Sequence, residues 1–197
     1  MRDSNAAALA PGSLLGGSQA GARLTYRLNA DVRRPLALSG RIYAPLDSFE
    51  GSEVAAGVDW QPLADVPVHL LAERRQALGK SGRSAFSLTA YGGVSQALAG
   101  PLQLDAYGQA GLVGMKARDL FADGSAKLSY PAGETKIGIG AWGAAQPGVE
   151  RVDVGPQASF RMPFAEAGVV VAVDWRLRVA GEAEPKSGPT LTLSTGF

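Results

Sequence analysis

The chain has 197 residues with a formal net charge of +1, and 26 of its residues are glycine. A charge this close to balance argues against a nucleic-acid partner, which would require a basic excess. The absence of cysteine and the single histidine, His69, exclude disulfides, thiolate metal sites and a multi-histidine metal cluster within one chain.

Residues 1–19 are rich in alanine, glycine and serine, and we expect them to form an N-terminal linker or a first strand. They lack the basic region and the apolar core of a secretory signal. We therefore expect either that a signal or an upstream module has been removed, or that the protein stays inside the cell. No apolar run in the sequence approaches the length of a membrane-spanning helix, which is about 20 residues.

From residue 20 onward, apolar and polar residues alternate with a period of two, which is typical of β-strands. In RLTYRLNADV, for example, Leu24 and Tyr26 fall on one face while Arg23 and Arg27 fall on the other. The pattern predicts eleven strands, near residues 20–32, 35–44, 52–61, 66–76, 83–96, 100–114, 117–130, 134–146, 149–162, 167–182 and 187–197. Short turn-forming segments separate them, so we expect one domain over residues 20–197 in which neighbouring strands pair antiparallel.

One segment of this pattern also fits a helix. In VPVHLLAERRQALGK, residues 66–80, the spacing of Val68, Leu71, Arg75 and Leu78 suits one face of a helix. Pro67 would begin such a helix or mark the edge of a strand. Strand and helix both stay open for this segment.

The predicted strands have about 10–15 residues, which is longer than usual in soluble sheets and suits tilted strands that cross a bilayer. The apolar face mixes alanine, glycine, valine and leucine with isolated aromatics, and it offers no bulky cluster to fill a core. The polar face carries nearly balanced arginine and carboxylate residues, which suits ion pairs across a narrow wet interior. We therefore expect an all-β, antiparallel up-and-down transmembrane β-barrel. A soluble barrel that binds an apolar ligand, or a sandwich, is the alternative, because alternation alone does not orient the faces.

Single-chain bacterial barrels have an even number of strands, so the pattern points to about 12 strands, within a range of about 10–14. Residues 3–16 or a split strand would supply the twelfth. On the polar face we expect residues that line the interior and hold the barrel in shape or tune a pore. They are Arg23, Arg27, Arg41, Asp59, Glu73, Arg75, Asp105, Arg151, Asp153, Arg161, Asp174, Arg176 and Arg178.

Aromatic residues lie near several predicted strand ends, where a membrane interface would hold them. They are Tyr43, Trp60, Tyr130, Phe160 and Phe164. The last predicted strand, SGPTLTLSTGF, alternates up to Phe197. This ending resembles the C-terminal signature of bacterial outer-membrane barrels, which implies that Phe197 is an assembly signal read by the barrel-assembly machinery.

Several longer phrases carry a second resemblance. They are DWQPL (59–63), AERR (72–75), AYGQAG (106–111), FADG (121–124), GAWGAAQPGVERVDVGP (140–156), DWRLRVAG (174–181) and SGPTLT (187–192). In this order they resemble the C-terminal domain of the bacteriophage adsorption protein NfrA family and the barrels of related exopolysaccharide-export proteins. The similarity covers roughly residues 50–197.

The resemblance implies a bacterial outer-membrane barrel that serves as the anchor or narrow pore of an envelope export or phage-adsorption protein. It implies outer-membrane lipid as the surrounding partner, and an upstream periplasmic helical-repeat module or a polysaccharide as further partners. No helical repeat of about 34 residues is visible in the sequence, so the chain would be the barrel portion. A polysaccharide-handling role would depend on those repeats.

The sequence GIGAWG, residues 138–143, fits the glycine pattern of a dinucleotide-binding loop. That motif needs a strand that leads into a helix, whereas Ile137, Ile139 and Ala141 alternate through this segment and a turn follows. We interpret the glycines as positions of close strand approach or as room for a neighbouring aromatic ring. No cofactor is expected.

His69 could act as the general base of an outer-membrane hydrolase if a serine lay within hydrogen-bond reach. Ser87 and Ser95 on the next predicted strand are conceivable nucleophiles, but no spacing selects either of them. Asp153 and Asp174 are interleaved with arginines, which favour the ionised carboxylate and not the protonated form that a general acid needs. We expect no catalytic residue and no metal ligand, and hydrolase activity that depends on His69 is an alternative.

Overall fold

The computed structural model describes residues 18–46, 49–80, 83–116, 118–162, 168–184 and 186–195. Within these ranges the chain forms one antiparallel sheet of eleven strands in the order of the sequence. The strands are β1 (Gln19–Arg27), β2 (Leu36–Pro45), β3 (Glu53–Trp60), β4 (Val68–Ala77), β5 (Ala85–Ala97), β6 (Gln103–Val113), β7 (Asp119–Ala132), β8 (Thr135–Gln146), β9 (Val149–Arg161), β10 (Val170–Gly181) and β11 (Gly188–Ser194). The up-and-down antiparallel sheet predicted from the alternation is confirmed.

The only helical element in the described ranges is a 3₁₀ turn at Phe49–Gly51. The helix considered for residues 66–80 is wrong, because residues 68–77 form β4 and pair with β3 on one side and β5 on the other. Strand pairing satisfies the backbone groups of this segment from both sides. It also places His69, Glu73 and Arg75 on a single face, which a helix would not do.

The two faces of the sheet show the opposite of the usual relation between polarity and burial. Among the described residues, sixteen buried residues are polar or charged and nine are hydrophobic, and five of those nine are alanine. Glu73 and Asp174 are 2% and 1% exposed, whereas Leu24 and Ile139 are 67% and 63% exposed. We call the buried polar face the inner face and the exposed apolar face the outer face.

The sheet bends strongly toward its inner face. In a flat sheet, strands about 4.8 Å apart would leave β1 and β5 separated by about 19 Å. Arg23 on β1 nevertheless places its guanidinium carbon 5.1 Å from the ring centroid of Tyr91 on β5. A cavity of about 330 Å³ lies beside this contact, between β1–β2 and β4–β6. The inner face is therefore concave.

β1 and β11 form the two edges of the sheet, and within the described residues neither pairs with a second strand. The described architecture is therefore an open, curved sheet. Residues 3–16, which were expected to supply a twelfth strand, lie outside the described ranges, as do Phe164 and Phe197. We call the end of the sheet at which β1 begins the first end, and the opposite end the second end.

Small residues lie in register on the outer face of β5, β6, β7 and β8. Two adjacent rows cross these strands, Ala90–Ala110–Ala122–Ala145 and Gly92–Gly108–Gly124–Gly143. Leucines border the alanine row toward the first end, where Leu88 and Leu112 are opposite each other. These two rows are therefore smooth across four strands and lack the bulky side chains with which protein cores interlock.

On the inner face, the close approach of β7 and β8 at Gly138 can be tested by substitution. At Gly138 a Cβ would lie 2.0 Å from the backbone oxygen of Leu128, whereas no atom lies within 4 Å of a Cβ at Gly108. We expect Gly138→Ala to lower the free energy of unfolding by about 1–3 kcal/mol, because overpacking pushes the strands apart. Gly108→Ala, the matched control, should change it by less than about 0.5 kcal/mol. Urea unfolding of the refolded protein measures both, and equal effects would contradict the close approach.

Candidate functional site

The alternation of the strands brings almost every charged strand residue onto the concave inner face. Among the charged residues within the eleven strands, only Arg74 and Glu150 lie on the outer face, and both are near the first end. The inner face is therefore the candidate functional site, and its charged side chains form several groups that contact one another across the strands.

The arginine–glutamate cluster joins β2, β3 and β4 through Arg41, Glu53, Glu73 and Arg75. Arg41 Nη1 donates a hydrogen bond to Glu53 Oε1 at 3.0 Å, and Arg41 Nη2 donates to Glu73 Oε2 at 3.2 Å. Arg75 Nε donates to Glu53 Oε1, also at 3.0 Å. All four side chains are at most 7% exposed. Two buried arginines thus share two buried glutamates.

Mutual pairing is what allows these four charges to be buried. Removing one partner from a buried ion pair typically costs about 3–5 kcal/mol, because the remaining charge is left without compensation. A shift of the strand register by one residue would move each charged side chain to the opposite face. The arginine–glutamate cluster therefore fixes the register of three strands as well as stabilising them.

The Asp59 cluster ties together the first five strands. Asp59 is buried, and one of its oxygens accepts hydrogen bonds from Arg23 Nη2 and from the Tyr91 hydroxyl. Its other oxygen lies 2.8 Å from His69 Nδ1, and His69 stacks on Tyr91 with ring centroids 5.0 Å apart. Arg23 Nε donates to the buried Ser39 hydroxyl at 2.9 Å. A single carboxylate thus organises side chains from β1, β3, β4 and β5, with β2 added through Ser39.

The pair formed by Asp59 and His69 has two of the three parts of a hydrolase triad. Neither of the two serines considered from the sequence is hydrogen-bonded to His69 in the described residues. Ser95 donates to Asp105 at 2.5 Å, and Ser87 lies opposite Glu73 in the strand register. The contacts of His69 are those of a side chain that orders its neighbours.

The Asp105 cluster lies nearer the second end and involves β5, β6 and β8. Asp105 accepts hydrogen bonds from the Ser95 hydroxyl and from Gln103 Nε2 on one oxygen, at 2.5 Å and 3.2 Å. Its other oxygen accepts from Lys136 Nζ at 3.0 Å. Lys136 belongs to β8 and reaches across β7 to make this contact, which is further evidence of the concave inner face.

The Trp142 cluster occupies the inner face of β7–β10. Trp142 is only 3% exposed, with the guanidinium carbon of Arg176 4.8 Å and Lys127 Nζ 5.9 Å from its ring centroid. A Cβ at Gly140 would lie 2.5 Å from the indole ring, so only glycine leaves room for it. Together with the close approach at Gly138, this confirms the interpretation of GIGAWG as a strand with space for an aromatic ring.

Two buried carboxylates belong to the same cluster. Arg151 Nε donates to Asp153 Oδ2 at 2.6 Å, and Arg176 Nη2 donates to Asp174 Oδ2 at 3.3 Å. Asp153 Oδ1, Asp174 Oδ1 and Arg176 Nε are also buried but have no hydrogen-bond partner among the described residues. These two carboxylates are therefore paired, but the polar atoms of the cluster are less completely satisfied than those of the arginine–glutamate cluster.

Most of the residues predicted to line an interior meet on the inner face. Ten of the thirteen take part in ion pairs there, and they are Arg23, Arg41, Asp59, Glu73, Arg75, Asp105, Arg151, Asp153, Asp174 and Arg176. Arg178 Nη1 instead donates to the backbone oxygen of Ala183 at 2.7 Å. Arg27 and Arg161 are exposed at the second end, and neither has an ion-pair partner in the described residues. Whether these residues line a pore stays a prediction.

Several important inner-face residues were not among the candidates chosen from the sequence. Glu53 shares the parity of Asp59 on β3, so extending the alternation to the first residue of that strand would have identified it. Trp142 and Tyr91 also have inward parity, but large aromatic side chains are usually assigned to an apolar face. The position of a residue in the alternation of its strand therefore predicts whether it faces inward better than its residue type does.

A structured loop lies between β1 and β2 at the second end. Asp31 accepts hydrogen bonds from the backbone N–H groups of Arg33 at 3.0 Å and Arg34 at 3.1 Å. These bonds favour the charged form and lower the pKa of the Asp31 carboxyl below its ordinary value. Arg33 also donates to Asp65 at 2.5 Å, which joins this loop to the one between β3 and β4. Ion pairs thus connect neighbouring loops at this end.

No protein-family model, curated protein or solved structure matches the chain. The resemblance to the NfrA family therefore stays a prediction. In the part of the chain that the structure describes, no helix is both long and apolar enough to cross a membrane. Those same residues include no group of three or more histidine, aspartate and glutamate side chains that could hold a metal ion.

The arginine–glutamate cluster predicts a large penalty for losing one shared carboxylate. We expect Glu53→Gln to lower the free energy of unfolding by about 3–5 kcal/mol, because Arg41 and Arg75 would stay buried with one carboxylate fewer. Arg33→Gln is the control, because it removes the ion pair with Asp65, whose two side chains are 69% and 81% exposed. This substitution should lower the free energy of unfolding by less than about 1 kcal/mol. Urea unfolding compares them, and similar losses would show that burial does not set the strength of these pairs.

Proposed function

We propose that the chain is a transmembrane β-barrel of the bacterial outer-membrane type, with lipid around its outer face and a narrow polar interior. We propose further that it serves as the anchor or narrow passage of an envelope export or phage-adsorption protein. The observation that carries the proposal is the inversion of the sheet, whose ion-paired side chains are buried while its leucines, isoleucines and valines are exposed. Only a surrounding apolar phase makes such an exposed face favourable.

The dimensions of the outer face support this environment. On β9, outward residues are apolar from Val152 to Phe160, a stretch of nine residues that begins after the outward charge of Glu150. Nine residues at about 3.3 Å per residue, tilted by about 40°, span about 23 Å, close to the apolar band of about 25 Å around outer-membrane barrels. Nine of the eleven strands also have between 9 and 14 residues, enough to cross a bilayer when tilted.

The proposal requires that the backbone N–H and C=O groups along the open edges of β1 and β11 form hydrogen bonds. In a bilayer each unpaired backbone group costs several kcal/mol, so open sheet edges do not face lipid. The edges would pair directly or through a further strand, for which residues 3–16 were the candidate in a barrel of about 12 strands. The concave inner face supports closure, since the contact between Arg23 and Tyr91 already brings side chains of β1 and β5 together.

The two other functions fit the described residues less well. A soluble barrel with an apolar ligand inside would bury the apolar face, whereas Leu24 and Val152 are 67% and 43% exposed. An outer-membrane hydrolase would need a nucleophile beside His69, and the contacts of that ring are with Asp59 and Tyr91. The barrel therefore remains the preferred proposal, and loss of a lipid- or peptide-cleaving activity in His69→Ala would favour the hydrolase.

A charge placed on the outer face tests the lipid environment. Ile139 lies in the middle of β8 and is 63% exposed, and Leu46 follows the end of β2 and is 66% exposed. In a membrane, Ile139→Arg should lower the free energy of unfolding by about 2–4 kcal/mol, whereas Leu46→Arg should cost less than about 1 kcal/mol. Unfolding of the barrel refolded into lipid vesicles measures this difference. If the outer face were in contact with water, each substitution would change the free energy of unfolding by less than about 0.5 kcal/mol.

Electrophoretic migration gives a second measure of the proposed barrel. A closed barrel keeps its compact form in detergent until heated, so the refolded protein should migrate differently before and after boiling. An unboiled sample that migrates as the unfolded chain would contradict closure, whatever the result for Ile139→Arg.

The Asp59 cluster predicts how the interior limits a passage. Tyr91 projects into the concave interior and contacts Arg23 and His69, so Tyr91→Ala should widen the interior and raise the single-channel conductance in planar bilayers. Tyr130→Ala removes a tyrosine from the outer face, where it is 52% exposed, and should leave the conductance unchanged. If neither the parent chain nor Tyr91→Ala conducts, the anchor role remains and the passage is rejected.

A further inference from the structure

The inner wall formed by β8, β9 and β10 carries an excess of positive charge. Five cations face inward from it, and they are Lys136, Arg151, Arg161, Arg176 and Arg178. The same wall has two inward carboxylates, Asp153 and Asp174. We call these three strands the basic wall, although the chain as a whole is nearly neutral.

Contacts cancel part of this charge and leave the rest uncompensated. Asp153 and Asp174 are paired with Arg151 and Arg176, and Lys136 is paired with Asp105 on β6. Two opposite charges in contact produce little potential beyond a few Å, so the unpaired charges determine the field in the interior. Unpaired cations therefore control the sign of that field.

Four inward cations have no carboxylate partner among the described residues. Arg161 and Arg178 lie on the basic wall, Lys127 lies on the adjacent strand β7, and Arg27 lies on the edge strand β1. By contrast, Asp59 and the two glutamates of the arginine–glutamate cluster all accept hydrogen bonds from arginine. When the inward Asp119 and Asp123 of β7 are included, the inner face of β7–β10 carries six cations and four carboxylates. The interior near the basic wall is therefore net positive.

The Trp142 cluster contains buried polar atoms without hydrogen bonds on both its cations and its carboxylates. Arg176 Nε is buried beside the Trp142 ring and has no acceptor among the described residues, and Lys127 approaches the same ring. The Oδ1 atoms of Asp153 and Asp174 also lack donors, and Arg176 and both carboxylates already belong to ion pairs. The uncompensated charge in this cluster is therefore that of Lys127.

From these contacts we infer that the barrel interior admits small anions in preference to small cations, along the basic wall. The inference rests on the proposed barrel, since it assumes that the concave inner face encloses an interior. A cleft lined by one sign of charge raises the local concentration of the opposite ion about tenfold or more. The selected class is small anions such as chloride or an organic sulfonate.

Thiol chemistry tests the inference without requiring a continuous channel. The chain has no cysteine, so Ser159→Cys on β9 and Ser125→Cys on β7 each introduce a single inward thiol, close in sequence to Arg161 and to Lys127. The refolded barrel is treated with an anionic sulfonatoethyl or a cationic trimethylammonioethyl methanethiosulfonate. The anionic-to-cationic rate ratio should exceed that of Ala99→Cys, in a turn without charged neighbours, by about tenfold.

Charge neutralisation identifies the residues responsible. Arg161→Gln in the Ser159→Cys background should lower the rate ratio severalfold, whereas Lys186→Gln, an exposed change between β10 and β11, should leave it unchanged. In planar bilayers the reversal potential in a salt gradient should show that chloride is more permeant than potassium. The preference should fall when Lys127, Arg161 and Arg178 are all changed to glutamine.

Three outcomes overturn the inference and leave the barrel itself standing. They are a faster reaction with the cationic reagent at Ser159→Cys, no reaction with either reagent, or a rate ratio equal to that of Ala99→Cys. Failure of the barrel proposal is recognised separately, because Ile139→Arg would then cost no more than Leu46→Arg and boiling would not change the migration.

Discussion

The burial of charge is the constraint on which the rest of this structure depends. Glu53, Glu73 and Arg75 are nearly inaccessible, and each would be costly to bury if its partner were absent. Their pairing requires that β2, β3 and β4 meet in one register, because a slip by one residue would turn the charged side chains outward. The strand register is therefore needed for the ion pairs to form, and the ion pairs in turn hold the strands in that register.

The burial of charge on the inner face also determines which environment the outer face requires. Once the polar residues of every strand face inward, alternation leaves the apolar residues outside, including smooth rows of alanine and glycine on β5–β8. Water would make this face unfavourable, and a packed protein partner would normally need bulkier side chains to interlock with it. A fluid apolar phase needs no such complementarity. The proposed lipid environment is therefore supported by the ion pairs on the inner face as well as by the apolar residues on the outer face.

Alternation alone predicted the number, order and approximate bounds of the described strands, because a period of two is a local property of the chain. It left β4 ambiguous, since Val68, Leu71 and Leu78 also suit one face of a helix, and only pairing with β3 and β5 decides between strand and helix. Contacts between distant strands, such as Arg23 with Tyr91, could not be predicted. They depend on the curvature of the sheet, which no local pattern encodes. Glu53 was missed although its parity on β3 was visible in the sequence.

The two sides of the inner face differ in how completely their polar atoms are satisfied, and we propose that one side mainly stabilises the sheet while the other would interact with ions. The arginine–glutamate cluster uses both oxygens of Glu53 and of Glu73, so it holds the first strands rigidly and has little capacity for a solute. The Trp142 cluster keeps a buried donor at Arg176 Nε and buried acceptors at Asp153 Oδ1 and Asp174 Oδ1. Lys127 lies at the same ring without a carboxylate partner among the described residues. Buried polar groups without a partner cost stability, so each of them calls for an explanation such as a functional role. A passing ion would interact with the second group and not with the first, so selectivity should arise on β7–β10 while β2–β4 keep the sheet in register.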